Sequence, residues 1–178
     1  MARPVRKVIL PSDLEGVRNG QIPPRLLRPI TPTGRLHHLA ADAWQAMRAA
    51  ALADGVRPFK PTSSADTYRP LADQRRLFLA RYTLNPLEGR PTVIWEGKRY
   101  YLLPRMAQAA RPGTSNHGYG IAVDVWGASG ARLEWLEENA RRFGFSWEFR
   151  SGAEPWHIRY FRGDKVPPAV RRWKEAQA

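Results

Sequence analysis

The stretch Ile-Ala-Val-Asp-Val-Trp, residues 121–126, constrains this chain more than any other. Side chains alternate across a strand, so Ile121, Val123 and Val125 share one face and Ala122, Asp124 and Trp126 the other. The Ile/Val face belongs in a core. Asp124 then lies against whatever covers the opposite face. A carboxylate there is costly unless it is paired or bound to a metal. The fold must therefore bring a partner over this strand. Just upstream, Gly118 and Gly120 flank Tyr119 and allow a sharp turn. That turn brings His117 back towards Asp124.

A second stretch has the same need. In Glu-Pro-Trp-His-Ile-Arg-Tyr-Phe, residues 154–161, strand alternation puts His157, Arg159 and Phe161 on one face. Pro155 breaks any helix, so Glu154 and His157 meet only if Pro155 bends the chain into the strand. Two neighbouring antiparallel strands would offer His117, Asp124 and His157 to one point, with Glu154 beside it. The chain has no cysteine, so any metal must be held by His, Asp or Glu. Two histidines and one carboxylate form a catalytic type of zinc shell, with the fourth position open to water. Zinc lowers the pKa of such a water and polarises a carbonyl. Glu154 would suit the proton transfer. Each residue also has an ordinary reading. His117 would then bond its own loop, Asp124 would pair with one of 24 arginines, and His157 would be a satisfied half-buried side chain. Spacing alone leaves both readings open.

The rest of the pattern predicts an α+β domain with a small antiparallel sheet and helices packed on one side. Residues 1–30 read as a basic, Pro-rich arm, extended over the surface or partly mobile, and residues 31–178 as the domain proper. Apolar residues at helical spacing predict a helix over 33–54, capped by Thr33 and ended by Gly55. His37 and His38 fall inside it. Adjacent helical residues point about 100° apart, so these two are read as surface or helix-edge residues that do not share a metal. A second helix is expected over 71–82, with Pro70 at its first turn. A hairpin turning at Glu96-Gly97, a helix over 130–143, two short strands and a closing helix complete the pattern.

Net charge is +13, with Arg and Lys concentrated on the flanks of the motif-bearing region. A basic surface favours polyanions, either an anionic cell wall or nucleic acid. No basic helix carries regular base-reading positions, so nucleic acid is disfavoured. The apolar run near the start is too short for a signal-peptide core, and no membrane span is expected.

The residues Ser115, His117, Gly120, Ala122 and Asp124 fill the pattern Ser-x-His-x-x-Gly-x-Ala-x-Asp, and Glu154 and His157 fill Glu-x-x-His. Tyr68, Arg69 and Gln74 match a Tyr-Arg-x-x-x-x-Gln segment upstream. Together these resemble the zinc D-alanyl-D-alanine carboxypeptidase and L-alanyl-D-glutamate endopeptidase family, which includes VanY-like peptidases and phage endolysins. The match runs roughly over residues 62–163. The resemblance implies zinc ligands at His117, Asp124 and His157, and a general base at Glu154. It implies that Arg69 stabilises the oxyanion and holds substrate, that Ser115 helps to bind substrate, and that Gln74 binds substrate or braces the site. Thr67 and Pro70 depart from the usual Gly and Ser of that segment. Trp95, Tyr100 and Tyr101, in a long segment over 85–112, are expected to wall the cleft. The implied substrate is a peptidoglycan stem peptide, with anionic wall polymers as further partners. The expected setting is a phage or prophage lysin or a tail-associated wall enzyme, made in the cytoplasm and acting at the bacterial wall. The alternative is a zinc-bearing wall-binding module without turnover, against which Glu154 argues.

Overall fold

A computed structural model of the chain describes residues 3–178. Strands β1 (Leu27–Pro29) and β2 (Arg35–His37) form an antiparallel pair. Helices α1 (His38–Ala53) and α2 (Leu71–Arg81) follow. Strands β3 (Tyr82–Thr83), β4 (Thr92–Trp95) and β5 (Lys98–Leu102) make a second sheet in the order β3–β5–β4. Then come β6 (Ala122–Asp124), α3 (Gly130–Asn139), β7 (Phe145–Trp147), β8 (His157–Tyr160) and α4 (Pro168–Glu175). The third sheet runs β6–β8–β7 with both pairings antiparallel. This is the expected α+β architecture.

The alternation in the late strands sorts the third sheet into two faces. Val123, Ile158, Tyr160, Phe145 and Trp147 are buried on one face. They pack against Trp44 and Met47 of α1, Leu136 of α3 and Val170 of α4 in one continuous core. The helices therefore cover one side of the sheet, and Asp124, His157 and Arg159 stand on the other.

Helix α1 starts at His38, five residues after the predicted start. Gly34 adopts a left-handed φ of 94°, and residues 35–37 are extended to pair with β1. Leu36 lies at helical spacing from the later apolar residues, but its burial comes from strand pairing. His37, expected at a surface or helix edge, is fully buried. It is the cap residue of α1, where its Nδ1 accepts a hydrogen bond from the Leu39 N–H at 3.4 Å. Pro70 likewise sits at the cap position of α2 and not within its first turn.

The arm packs against the domain and is more than a surface cover. Its first two residues lie outside the described ones. Val5 bridges to Trp147 and Ile9 to Arg162. Leu14 and Ile22 are buried with Tyr68 in a small core of their own. The predicted hairpin is present, with positive φ at both Glu96 (49°) and Gly97 (72°), as a tight two-residue hairpin turn requires. Its aromatic side chains do not wall the cleft. Tyr100 is buried against Phe78 and Tyr82, and Trp95 packs on the same cluster. That small sheet has no other core, so its large side chains are needed to make one.

Ile158 is on the central strand and fully buried, whereas Ile94 of the hairpin is 49% exposed. Ile158→Ala should lower unfolding free energy in urea by about 2–5 kcal/mol. Ile94→Ala should change it by no more than about 0.5 kcal/mol.

Candidate metal centre

Register between two strands makes the site. Asp124 of β6 stands directly opposite His157 of β8. His157 Nδ1 lies 2.8 Å from Asp124 Oδ1. His117 Nε2 lies 3.3 Å from the same oxygen. His117 arrives from a single 3₁₀ turn, Asn116–Tyr119, capped by Ser115, whose Oγ accepts the His117 N–H at 3.3 Å. Gly120 ends the turn at φ 67°, and any side chain at Gly118 would collide with Asn19 and Gln74. The two glycines therefore do what the sequence asked of them. One donor atom from each of His117, Asp124 and His157 falls within 4.8 Å of the others.

Whether these three residues suit a metal is decided by where their protons lie. His117 Nδ1 is 2.8 Å from the Thr67 carbonyl oxygen, which only accepts, so that nitrogen donates. Its Nε2 then faces the centre, where a metal could take the place of any proton it carries. His157 Nε2 is 2.9 Å from Glu148 Oε2, so it donates as well, which leaves Nδ1 to face the centre. Each imidazole is thus oriented by an acceptor behind it, as ligating histidines almost always are. Two nitrogens and one carboxylate oxygen converge beside an open cavity. That donor set fits a divalent ion of the catalytic zinc type.

Until a metal takes their place, protons on the inner nitrogens can donate to Asp124. Burial would raise the Asp124 carboxyl, but hydrogen bonds from His117 and His157 outweigh it and hold the group well below the carboxylate range. Burial would lower His157, yet Asp124 and Glu148 together raise it to about 9. The hydrogen bond with His157 chiefly keeps Glu148 low, against burial. Asp124 is therefore charged and held, which answers the cost of placing it here.

The centre opens into a cavity of about 650 Å³, lined among others by Arg69, Ser115, Glu148, Glu154 and Trp156. The Arg69 backbone N–H donates to the His117 carbonyl at 3.0 Å, tying this residue to the metal turn. Its Nε donates to the Ala65 carbonyl at 3.0 Å, and Nη2 reaches Asp66 Oδ1 at 3.4 Å. Burial lowers the guanidinium from its ordinary value, while Asp124 and Asp66 oppose that shift. Glu154 sits at φ 50°, a left-handed position rare for a residue with a side chain. Its carbonyl accepts the His157 N–H at 3.0 Å, the bend that Pro155 was expected to make. Ser115 also lines the cavity.

Gln74 also borders the cavity, but its amide is committed elsewhere. Nε2 donates to Asn19 Oδ1 and to the Arg69 carbonyl, each at 3.0 Å, and Oε1 accepts the Gly113 N–H at 3.0 Å. It braces the site, the second of its two expected roles. The far wall is made by residues 107–110, where the hairpin aromatics were expected. Three residues that hold the site went unread in the sequence: Glu148, Asn116 and Thr67. A ligating histidine needs an acceptor behind it, but the alignment of β7 with β8 that makes Glu148 that acceptor is not contained in the local sequence.

His37 and His38 also differ from expectation. They share a partner, Asp13, through His37 Nε2 at 2.8 Å and His38 Nε2 at 2.7 Å.

Fold and site together define a class: an α+β domain whose sheet and preceding turn bring two histidines and one carboxylate, able to hold a metal, together at an open cavity. Residues 33–163 match the family of VanY D-alanyl-D-alanine carboxypeptidases, and the chain belongs to that family. A D-alanyl-D-alanine carboxypeptidase of Enterococcus faecalis (strain ATCC 700802 / V583) is 32% identical in an alignment of 129 residues that covers 62% of this chain and 42% of that protein. The chain thus aligns with less than half of that relative's length. Two solved structures share the fold. One is the vancomycin resistance D,D-pentapeptidase VanY of a VanB-type cassette, a mutant in complex with Zn(II). It has a TM-score of 0.55 and 23% identity over 87% of this chain and 89% of its own. The other is VanYB in complex with D-Alanine-D-Alanine, at a TM-score of 0.55 and 23% identity over 87% of each chain.

A pH prediction follows from His157. Its raised value stabilises the metal-free fold fully below the ordinary value of 6.5, and that contribution is lost as pH rises through about 9. Thermal melts of chelator-treated protein should lose stability across this window. His157→Gln should flatten that limb.

Proposed function

We propose that this protein is a zinc-dependent peptidase of peptidoglycan stem peptides that removes a C-terminal D-alanine. The observation that carries the reading is the convergence of His117 Nε2, Asp124 Oδ1 and His157 Nδ1 on one point of a cavity that also holds Arg69 and Glu154. Membership of the carboxypeptidase family supports the choice of bond.

His117, Asp124 and His157 would hold the ion, which supplies a Lewis acid for the scissile carbonyl and makes water acidic near neutral pH. Arg69 presents a fixed positive charge where the carbonyl oxygen gains negative charge. Its Nε and Nη2 are anchored to residues 65 and 66, so the guanidinium is positioned before substrate arrives. Glu154 takes the proton of the attacking water and returns it to the departing amine. The Ser115 hydroxyl donates to the bound peptide. Trp156 and Phe149, both exposed at the cavity, offer apolar walls to the stem.

The basic surface supports action at an anionic cell wall, as in a phage or prophage lysin, and nucleic acid is not needed to account for it. Among the described residues no helix is long and apolar enough to cross a membrane.

Purified protein should bind close to one zinc per chain at the centre. Glu154→Gln should keep that zinc and lose about 10²–10⁴-fold in hydrolysis. His157→Ala should lose both. Mass spectrometry of digested stem peptides should show free D-alanine. A new D-glutamate amino terminus would identify an endopeptidase instead, and an inert wild-type protein that holds zinc and binds walls would identify a binding module.

A further inference from the structure

The geometry points to Glu148 as a positioning residue of the metal centre, one that sets the tautomer and ring plane of His157 from behind; this rests on the zinc peptidase reading above.

The placement comes from sheet register. In the β7–β8 ladder Phe145 pairs with Tyr160, Ser146 with Arg159 and Trp147 with Ile158. One step further along the same register puts Glu148 beside His157. On the other flank of β8, Asp124 pairs with His157. A row of three side chains therefore crosses the sheet, Asp124–His157–Glu148, with the imidazole in the middle. Neighbours in such a row lie within reach of one another on the same face. Nδ1 meets Asp124 Oδ1 at 2.8 Å, and Nε2 meets Glu148 Oε2 at 2.9 Å.

The two ring nitrogens point in opposed directions, so Glu148 lies behind the ring and is not itself a ligand at the convergence point. Its Oε2 also accepts from Asn116 Nδ2 at 3.2 Å. Asn116 immediately precedes His117, so one carboxylate ties together the segments that supply both histidines. Arg159 Nη1 stands 3.9 Å from Oε1 and supplies a compensating charge. Glu154 has a different environment in the same cavity. It touches His157 through its backbone carbonyl, which leaves its carboxylate for the reaction.

The test is zinc affinity, measured by competition with a chromogenic chelator on wild type, Glu148→Gln, Glu148→Ala and Glu154→Gln. Glu148→Ala should weaken zinc binding by about 10–100-fold. Glu148→Gln should weaken it less, because an amide oxygen still accepts from Nε2–H. Glu154→Gln removes the same charge from the same cavity and should leave affinity unchanged. The visible spectrum of the cobalt(II)-loaded protein should shift in Glu148→Ala and return towards wild type in Glu148→Gln. Melts of the metal-free variants check the fold, and the glutamine variant carries the test if the alanine variant does not fold. If wild type binds one zinc and both Glu148 variants bind it equally tightly, the positioning role is overturned and the peptidase reading stands. A wild-type protein that binds no zinc overturns the reading, and this role with it.

Discussion

The pairing of Asp124 with His157 across β6 and β8 is the contact on which the rest depends. It is a matter of register as much as of chemistry. A slip of one residue would turn Asp124 into the core and Val123 onto the cavity face. What prevents the slip is the buried face of the same sheet. Val123, Ile158, Phe145 and Trp147 are each fully buried against the helices. The apolar side fixes which residues oppose one another, and the polar side reads that alignment as three donor atoms at one point. Core and site are two faces of one constraint.

The support on the open side comes from distant parts of the chain. Asn19 Nδ2 donates to the Ser115 carbonyl at 2.7 Å, and Gly20 N–H donates to the Gly118 carbonyl at 2.7 Å. Gly20 in turn accepts from the Leu71 N–H at 2.9 Å. The arm thus clamps the His117 turn between itself and the start of α2. Gln74 joins Asn19, Arg69 and Gly113 in the same network. The Thr67 carbonyl orients His117 from behind. Buried polar groups need such partners, and here the partners also aim the ligands.

What was legible in the sequence was what local rules decide. Alternation placed Asp124 opposite the Ile/Val face, two glycines marked the turn behind His117, and Pro155 marked the bend before His157. The hairpin turn was readable from Glu96-Gly97 for the same reason. Glu148 was not, because its role depends on how β7 aligns with β8, which no short window of sequence contains. The start of α1 was misplaced because Leu36 fits helical spacing. Pairing with β1 and the left-handed Gly34 override that periodicity. Trp95 and Tyr100 suit a cleft wall or a small core equally well, and only the packing of α2 against the hairpin decides between them.

The chain carries a second gathering of two histidines and a carboxylate, and it shows why composition alone does not make a metal site. Asp13, His37 and His38 bring their donor atoms within 4.8 Å of each other, as the first set does. The difference lies behind the rings. At the first set the outer nitrogens of His117 and His157 face a carbonyl and a carboxylate, so each ring can keep its outer proton and give up the inner one to a metal. At the second, the outer nitrogen of His37 accepts from the Leu39 N–H, so its proton sits on Nε2 and points at Asp13. A metal there would need that proton gone and the helix cap broken. Desolvation lowers His37 from its ordinary value, consistent with a neutral ring that donates. Asp13 with its two histidines is therefore a clasp that fastens the arm to the start of α1. The same residue types are suited to hold a metal or to serve as a tether according to the hydrogen bond on the far side of the imidazole.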